Sequence, residues 1–487
     1  MDLNVQPAQV PDVKKQLRRE MGLWDVLLFN IAAVLGPRWI AAAAHNGTSS
    51  ISLWIIAALF FFVPTALVIT ELSTRFPHEG GLYVWSKEAF GDFHGFVAGW
   101  CYWIYTVFYF PGLLLASASM SAYVIGESGA RLEHDRTFLL LVSLGLLLVA
   151  VVLNIIGLNI GKWLQNAGGV ATYLPLLMLV AVAGLLLVRH GSVTHFSFGN
   201  VMPVWNWDTV NFWPQIAFAF TGLELVSAMS DEVKDPQRTF PRAIFGSGAL
   251  IAIIYIVATI ALLIILPSVI VDAKSGVFQA LTQGSVLLKI GFVGVIAALL
   301  VTVGNAGGVG STVAGVARVP FIVGVDRYMP EAFGKIHPRW RTPYVSILVQ
   351  AVISVIILLL MRIGETVNGA YLSLVDAAQI LYFVPFLYMY AAVIKLAYRK
   401  DREENKNAIL IPGGRLGVWI AGCLGFIVVA GGIYLSFIPP GETANKLLFE
   451  GKLVAGTFGA IGLGLILYFR QRIIGFVARL RQKPEAA

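Results

Sequence analysis

Long apolar segments dominate this sequence and restrict its fold more than any other feature. A membrane helix needs about 20 consecutive apolar residues to cross the hydrocarbon core. Twelve such segments follow one another along the 487 residues: 22–46, 50–74, 94–125, 137–160, 164–188, 210–231, 243–267, 286–317, 343–362, 370–397, 416–438 and 453–474. Because helices satisfy their own backbone polar groups in lipid, the pattern predicts an all-α polytopic membrane protein with twelve transmembrane helices.

The composition excludes several other classes of protein. Only 13% of the residues are charged, whereas soluble proteins carry about 25%, and the continuous apolar runs differ from the alternating strands of a β-barrel. Cys101 and Cys423 lie within apolar segments, so neither a structural disulfide nor a metal site is predicted. Because the sequence contains no catalytic triad, His/Cys cluster or nucleotide motif, we expect neither an enzyme nor a bound cofactor.

The basic residues predict the orientation of the chain in the membrane. With the N-terminus inside, 26 of the 35 Lys and Arg residues lie in cytoplasmic segments, eight lie outside, and Arg38 remains within the first span. The positive-inside rule therefore predicts a multi-pass protein of the cytoplasmic membrane with both termini in the cytoplasm. On this interpretation the net charge of +8 reflects topology and does not indicate nucleic-acid binding.

The first and sixth spans are both interrupted near their centres. Gly36-Pro37-Arg38 lies within the first span, where proline removes a backbone donor and arginine costs roughly 2.5–3.5 kcal/mol. The sixth span contains Thr221-Gly222, followed by Glu224. Two broken spans, each heading a run of five, predict an inverted repeat built on discontinuous helices. The alternative for the first span is a kinked helix whose arginine extends to the interface.

This repeat divides the chain into five predicted parts. They are a cytoplasmic N-terminal segment (1–21), a first five-helix repeat (22–188), a second five-helix repeat (189–397), two extra helices (398–474) and a cytoplasmic C-terminal tail (475–487).

The two breaks predict the position of a substrate site. The N-terminus of a half-helix presents free N–H groups and a positive dipole, and a C-terminus presents free carbonyls. A zwitterion such as an α-amino acid fits this pair of ends, although a small ion would fit one of them. Glu224 is either a proton acceptor, a partner for a cationic group, or a structural ion-pair partner of Arg38. Arg38 correspondingly either binds a substrate carboxylate or neutralises Glu224.

Residues near the breaks are the candidate substrate ligands: Val34, Gly36, Pro37, Arg38, Tyr105, Phe218, Phe220, Thr221, Gly222 and Glu224. In the eighth span, GNAGGVGSTVAG over 304–315 predicts close helix packing through small residues. Alternatively, Ser311 and Thr312 offer hydroxyl oxygens to a sodium ion. Asp376 in the tenth span is a weaker candidate for function. H⁺ and Na⁺ are both possible coupling ions, and Glu224, Ser311 and Thr312 are candidates for binding them.

Three stretches resemble the amino acid–polyamine–organocation superfamily of permeases. ELSTRFPHEGGLYVWSKEAFG (71–91) is similar to the Pro-x-x-Gly-Gly-x-Tyr loop of that family, and FAFTGLELVSAMSDEVKDPQRTFPR (218–242) resembles its Phe-x-Gly-x-Glu sixth helix and the loop after it. RVPFIVGVDRYMP (318–330) resembles the stretch after the eighth helix. The resemblance covers nearly the whole chain. It implies a LeuT-type fold: a 5+5 inverted repeat with discontinuous helices 1 and 6, plus two extra helices.

The resemblance also implies roles for residues at the two breaks. Gly36-Pro37-Arg38 occupies the family's Gly-Ser/Ala-Gly motif for the substrate carboxylate, of which only the first glycine is kept. Phe218 matches an aromatic residue that caps the substrate in related antiporters, and Glu224 matches the glutamate of the sixth helix.

Two further positions concern coupling and subgroup. The fifth-helix lysine of some proton-coupled relatives is missing, and Thr172 or Tyr173 stands there, so that Thr172 becomes a fourth candidate for ion coupling. The segments 411–414 (IPGG) and 436–440 (SFIPP) resemble the glutamate/GABA antiporter branch.

These observations predict a secondary active transporter, a permease or antiporter, for an amino acid or close derivative, working by alternating access. The alternatives are a polyamine or organic-cation transporter of the same superfamily and a non-transporting membrane amino acid sensor. The expected partners are the small-molecule substrate and membrane lipids, with no nucleic acid. The sequence predicts no oligomeric state.

Overall fold

A computed structural model of the protein describes residues 19–203, 207–272, 275–326, 328–360, 367–405, 408–438 and 446–481. Most of the predicted N-terminal segment (1–18) and the end of the predicted C-terminal tail (482–487) lie outside the described residues.

The first five predicted spans and the segments between them contain eight helices. These are α1 (Leu23–Val34), α2 (Pro37–His45), α3 (Ser50–Ala57), α4 (Val63–Arg75), α5 (Leu82–Phe90), α6 (Asp92–Ser121), α7 (Arg136–Ile156) and α8 (Leu158–His190). A π-helical turn (Ala58–Phe62) joins α3 to α4, and a 3₁₀ segment (Ala122–His134) continues α6.

The remaining spans correspond to a second set of helices. These are α9 (Phe198–Val201), α10 (Trp207–Ala219), α11 (Pro236–Ile265), α12 (Gly276–Leu287), α13 (Phe292–Val325), α14 (Tyr344–Leu360), α15 (Val367–Leu396), α16 (Asp401–Glu404), α17 (Gly414–Ser436) and α18 (Lys446–Arg481). Short 3₁₀ segments cover Leu225–Glu232, Ser268–Ile270 and Glu331–Gly334.

The helices confirm the predicted all-α membrane class. Within the described residues, nine helices are long and apolar enough to cross a membrane, and the bent pair α1–α2 makes a tenth. Of the other two predicted spans, the ninth is the shorter apolar helix α14, and the sixth is divided between α10 and the 3₁₀ segment Leu225–Glu232. The exact number of twelve crossings stays a prediction.

Two predicted span boundaries are wrong. The predicted eighth span starts at residue 286, but α12 runs to Leu287 and α13 begins only at Phe292. The chain turns between them at Lys289, whose φ of 60° is left-handed. The predicted fourth span extends to residue 160, but α7 ends at Ile156 and α8 begins at Leu158, after Gly157 with a left-handed φ of 113°. In both places an apolar run continues across a change of backbone conformation that hydropathy does not register.

The first span is broken at the predicted position. α1 ends at Val34, Leu35 and Gly36 are extended (φ −69° and ψ 111°; φ −124° and ψ 119°), and α2 starts at Pro37. Proline suits the first position of a helix because its missing N–H would have no intrahelical partner there. The two halves are bent by 41°. Because the two halves change direction across two extended residues, the first span is a discontinuous helix. This excludes the alternative of a merely kinked helix.

The sixth span is also broken, and its break touches the first. α10 ends at Ala219, and a 3₁₀ segment begins at Leu225. Gly222 between them has a φ of 109°, a conformation that glycine adopts without a steric cost. A Cβ built on Gly222 would lie 3.0 Å from Cγ2 of Val34. The two interruptions therefore meet in the interior of the protein.

Small residues bring α8 and α13 into close contact next to α1. A Cβ built on Gly307 would lie 2.4 Å from Cα of Gly168, and one on Gly304 would lie 2.4 Å from Oγ1 of Thr172. A Cβ on Gly308 would lie 2.7 Å from the carbonyl oxygen of Ala32. The small-residue stretch of the eighth span therefore packs backbone against backbone, as predicted.

Candidate functional site

A small cavity lies between the two breaks. Its volume is about 20 Å³, which is room for roughly one water molecule. Six predicted candidates line it: Val34, Tyr105, Phe218, Thr221, Gly222 and Thr312. The cavity therefore lies where the interrupted first and sixth spans, the third span and the eighth span meet.

Aromatic rings form much of the wall of this cavity. The Phe218 ring stands edge-on to four others, with centroid distances of 5.6 Å to Trp39, 6.0 Å to Tyr109, 5.4 Å to Tyr382 and 6.0 Å to Phe383. Tyr105 in turn stands edge-on to Tyr382 at 4.4 Å. Such edge-to-face contacts fix ring positions. Phe218 thus connects the break of the sixth span to α2, α6 and α15.

Arg38 lies beside the cavity at the start of α2. Its side chain is buried, its Nη2 donates a 2.8 Å hydrogen bond to the Tyr109 hydroxyl, and its guanidinium carbon lies 4.5 Å from the centre of the Trp39 ring. Its Nη1 lies 3.5 Å from the position of a Cβ built on Gly36, so the side chain folds back over the break. The cation and the uncapped N-terminus of α2 make this end of the site attractive to an anion.

Glu224 directly follows the break in the sixth span and lies behind the residues that line the cavity. Its carboxylate accepts hydrogen bonds from the Tyr102 hydroxyl (2.8 Å), the Tyr382 hydroxyl and the backbone N–H of Gly222 (3.0 Å). Tyr382 also lines the cavity. Glu224 and Arg38 thus use different hydrogen-bonding partners. The two breaks thus place a basic and an acidic side chain at separate positions around one cavity.

Tyr255 of α11 joins the two breaks through its hydroxyl. The oxygen lies 3.0 Å from the carbonyl oxygen of Val34 and 3.1 Å from that of Ala219, and it donates its single proton to one of them at a time. It accepts a hydrogen bond from the N–H of Gly36 at 3.4 Å. The Tyr255 ring stacks on Trp54 at 4.5 Å. One side chain therefore satisfies backbone groups that the interruptions expose in both spans.

The other predicted candidates lie around this cavity. Gly36 and Pro37 form the start of α2. Phe220 packs among Phe62, Trp54 and Tyr255.

The remaining ion-coupling candidates lie along the contact of α8 with α13 or close to it. Thr172 is buried against Gly304, and the Thr312 hydroxyl donates to the Gly308 carbonyl at 2.9 Å. Ser311 is fully buried, and its hydroxyl has no hydrogen-bond partner among the described residues. Asp376 is buried in α15.

Sequence reasoning did not select several residues of the site, among them Trp39, Tyr255 and Tyr382. The two tyrosines carry a usable signal, because a hydroxyl inside an apolar span must find a hydrogen-bonding partner. Trp39 carries only its position next to Arg38. None of these signals identifies which partner the side chain finds.

Polar contacts close the protein on the side where the chain begins. The Met21 and Val233 backbones form a parallel bridge between the ends of the first and sixth spans. Arg318 of α13 is fully buried and contacts both carboxylate oxygens of Glu232, at 2.7 and 3.2 Å. Among the described residues, the Arg318–Glu232 contact thus links the end of the sixth span to α13 on this side of the cavity.

A second ion pair on this side involves the short helix α5. Lys87 contacts Asp326 at 2.7 Å, which ties α5 to the end of α13. Burial lowers the pKa of Lys87, but the hydrogen bond and the charge of Asp326 outweigh this effect and raise it above its ordinary value. Lys87 therefore stays protonated at neutral pH, and its contact with Asp326 holds the two elements together.

A solved structure identifies the fold type of this protein. The crystal structure of MhsT in complex with L-phenylalanine matches it with a TM-score of 0.65 and 12% sequence identity, covering 85% of this chain and 98% of that one. At that identity the likeness concerns the fold alone. MhsT is a LeuT-fold transporter, so the chain has the LeuT-type fold that the family resemblance implied.

The sequence identifies the family. The amino acid permease family matches residues 21–449, and the chain belongs to this family of the amino acid–polyamine–organocation superfamily. An uncharacterized transporter of Legionella pneumophila is 28% identical over 90% of this chain and 94% of its own length. The serine/threonine exchanger SteT of Bacillus subtilis is 26% identical over 81% and 87%. The protein is thus a multi-pass membrane transporter for a small molecule and not an enzyme.

Proposed function

We propose that this transporter carries an α-amino acid or close derivative across the cytoplasmic membrane by alternating access, with both termini in the cytoplasm. The observation that carries the proposal is the arrangement of a basic and an acidic side chain around one cavity at two helix breaks. The serine/threonine exchanger named above makes a small α-amino acid the first substrate to test. The uneven distribution of basic residues supports the orientation.

The anionic end of such a substrate would bind near Gly36. The N-terminus of α2 has no side-chain cap, and Arg38 lies folded over it with a hydrogen bond to Tyr109. A substrate carboxylate at this position would replace or share the Tyr109 contact. Charge-assisted hydrogen bonds of this kind contribute about 1.5–3 kcal/mol.

The ammonium end would bind near the carbonyl ends of the broken helices. α10 ends at Ala219 immediately before the break, and Thr221 lines the cavity. Phe218 would close over the bound molecule, since its ring reaches both Trp39 and Tyr382. Glu224 lies behind Tyr382 and would stabilise the positive charge at longer range, or take up a proton during the cycle.

The cavity of about 20 Å³ is smaller than an amino acid, so substrate entry requires movement. We propose that the broken spans rock against a scaffold that contains α6, α7, α13 and α14. The Arg318–Glu232 and Met21–Val233 contacts would open when the site faces the cytoplasm. Polyamines or organic cations are the alternative substrates, but Arg38 would repel a polycation.

A thermal-shift panel of the purified full-length protein tests the substrate class. It contains the twenty amino acids, GABA, putrescine and agmatine, because a ligand that binds the folded state raises its stability with the ratio of concentration to Kd. Stabilisation by one or a few amino acids supports the proposal. Stabilisation by putrescine or agmatine alone would establish the polyamine alternative.

Substitution of Arg38 tests the proposed carboxylate site. Arg38→Ala should raise the Kd for the amino acid by about 10- to 150-fold, which corresponds to 1.5–3 kcal/mol. The Kd of this variant for the matching decarboxylated amine should not rise. Arg38→Lys keeps the charge without the planar donor geometry and should fall in between.

The other interpretation of Arg38 makes a different prediction. If Arg38 only neutralises Glu224, both single variants Arg38→Ala and Glu224→Gln should lose folded protein, and the double variant should regain it. That recovery would exclude the carboxylate role.

A further inference from the structure

An apolar groove lies on the outer surface between α15 and α17, away from the substrate cavity. Its volume is about 390 Å³, within the range of roughly 300–1,000 Å³ that is usual for ligand sites. Ile394 of α15 and Phe426 and Ile427 of α17 line its body, and Lys395 and Tyr398 lie along it at the end of α15. The groove is thus apolar along its length and basic near one end.

The segment of α17 from Arg415 to the far end of the groove has the length of one membrane leaflet. Arg415 stands at the start of α17, and Ile427 follows twelve residues later, which corresponds to about 18 Å along an α-helix. Half of the hydrocarbon core measures about 15 Å. The basic end therefore lies near the interface, and the apolar end reaches the middle of the bilayer.

The interfacial end carries two cations on aromatic rings. Lys395 Nζ lies 4.8 Å from the centre of the Phe90 ring, and the Arg415 guanidinium lies 5.1 Å from that of Tyr398. Trp419 donates a 2.8 Å hydrogen bond to the Tyr398 hydroxyl. Tryptophan, tyrosine and basic residues together are typical of the lipid headgroup level.

The acidic residue nearest to this end along α5 is already engaged elsewhere. Glu88 contacts Arg399 at 3.1 Å. Lys395 and Arg415 are both exposed, and neither forms an ion pair with a carboxylate among the described residues. The mouth therefore presents positive charge to an anion.

The body of the groove opens toward lipid. Ile427 is 68% exposed and Ile420 on the same helix is 59% exposed, values that only a hydrocarbon environment makes favourable for residues at this depth. A second copy of this chain fits less well, because an isologous contact would bring the same cations face to face. The charge and the depth both match an amphiphile from the inner leaflet.

We propose that this groove binds an anionic phospholipid of the leaflet on the N-terminal side, with one acyl chain along α17 and the phosphate between Lys395 and Arg415. Basic pockets between transmembrane helices recognise anionic headgroups in this way. The site is independent of the substrate cavity and does not rest on the identity of the transported molecule.

Phosphatidylglycerol and phosphatidylcholine with identical acyl chains test the proposal by native mass spectrometry of the full-length protein. Each basic residue near a lipid surface contributes about fivefold to binding, so two should make phosphatidylglycerol roughly 25-fold tighter. The double variant Lys395→Gln/Arg415→Gln should lose this preference. The matched control Lys335→Gln/Arg339→Gln removes the same charge from exposed residues of another loop and should keep it.

Cys423 gives a readout of location in the unmodified protein. It lines the groove, while Cys101, the chain's other cysteine, is fully buried. Phosphatidylglycerol should slow its modification by N-phenylmaleimide at concentrations where phosphatidylcholine does not. Equal protection by both lipids would overturn the proposal, as would a preference that survives in Lys395→Gln/Arg415→Gln. Protection that depends on protein concentration without lipid would indicate a second copy and overturn it as well.

Discussion

The hydroxyl of Tyr255 links the two broken spans, and its removal should weaken substrate binding more than it weakens the fold. In Tyr255→Phe the aromatic ring keeps its stacking on Trp54 (4.5 Å) and its edge contact with Phe220 (5.5 Å). Only the oxygen is lost. The variant therefore separates the hydrogen bonds of this residue from its packing.

The magnitude follows from the groups that lose a partner. The hydroxyl contacts the carbonyls of Val34 and Ala219 and the N–H of Gly36. It has one proton, so it donates to one carbonyl at a time. A neutral hydrogen bond contributes about 0.5–1.5 kcal/mol and an unsatisfied buried group costs about 1–3 kcal/mol. We therefore expect the free energy that stabilises the geometry of the two breaks to fall by roughly 2–3 kcal/mol.

Tyr390→Phe is the matched control. Tyr390 is also buried in the protein, and its hydroxyl contacts Thr65 at 2.6 Å instead of a helix break. Thermal denaturation of both variants should show similar modest destabilisation. Isothermal titration with the amino acid identified by the thermal-shift panel should show a Kd at least tenfold higher in Tyr255→Phe and almost unchanged in Tyr390→Phe.

An unchanged Kd in Tyr255→Phe would refute the reasoning, because the geometry of the breaks would then not depend on this hydroxyl. An equal increase in both variants would also refute it, since the effect would then reflect general destabilisation of the fold.

Two further predictions concern the fold. Gly307→Leu should abolish folded protein in size-exclusion chromatography, because its Cβ would lie 2.4 Å from a backbone atom of Gly168, while Gly459→Leu, with open space at its Cβ position, should fold normally. Glu71→Gln should destabilise the protein by about 3–5 kcal/mol in thermal or chemical denaturation, because the buried carboxylate contacts both Arg75 and Arg402. Glu88→Gln, which removes an exposed ion-pair partner of Arg399, should lower the free energy of unfolding by less than about 1 kcal/mol.

The breaks were predictable from the sequence because their chemistry conflicts with a membrane helix. Proline and arginine in the first span, and Thr-Gly followed by glutamate in the sixth, mark interruptions by residue type alone. Close helix packing by GNAGGVGSTVAG was equally accessible, although its partner α8 was not, since small residues in a span serve close helix contact. Such features are local, and composition or spacing expresses them directly.

The partners of the charged residues were not predictable, because they depend on tertiary neighbours. Arg38 and Glu224 suggested an ion pair by charge, yet one contacts Tyr109 and the other Tyr102 and Tyr382. These tyrosines come from α6 and α15, and nothing in the spacing relates those helices to the breaks.

Glu71 illustrates the same limit near the end of a span. Glu71 lies three residues before the end of the predicted second span (50–74), where interfacial water usually reaches a side chain, but it is fully buried. Arg402 and the backbone N–H of Ile411, both more than 300 residues away, complete its contacts at 2.8 Å. Burial at a span end depends on which loop covers it, which hydropathy does not describe.

The central claim is that the cavity between the two breaks is a transport site for an amino acid. Purified protein in proteoliposomes, preloaded with unlabelled substrate and supplied with the labelled amino acid that stabilises it most, tests this claim directly. The account predicts time-dependent, saturable accumulation that falls at least tenfold in Arg38→Ala when assayed below KM. Tight binding of the amino acid without any flux, with or without an ion gradient or internal substrate, would contradict it and indicate a sensor.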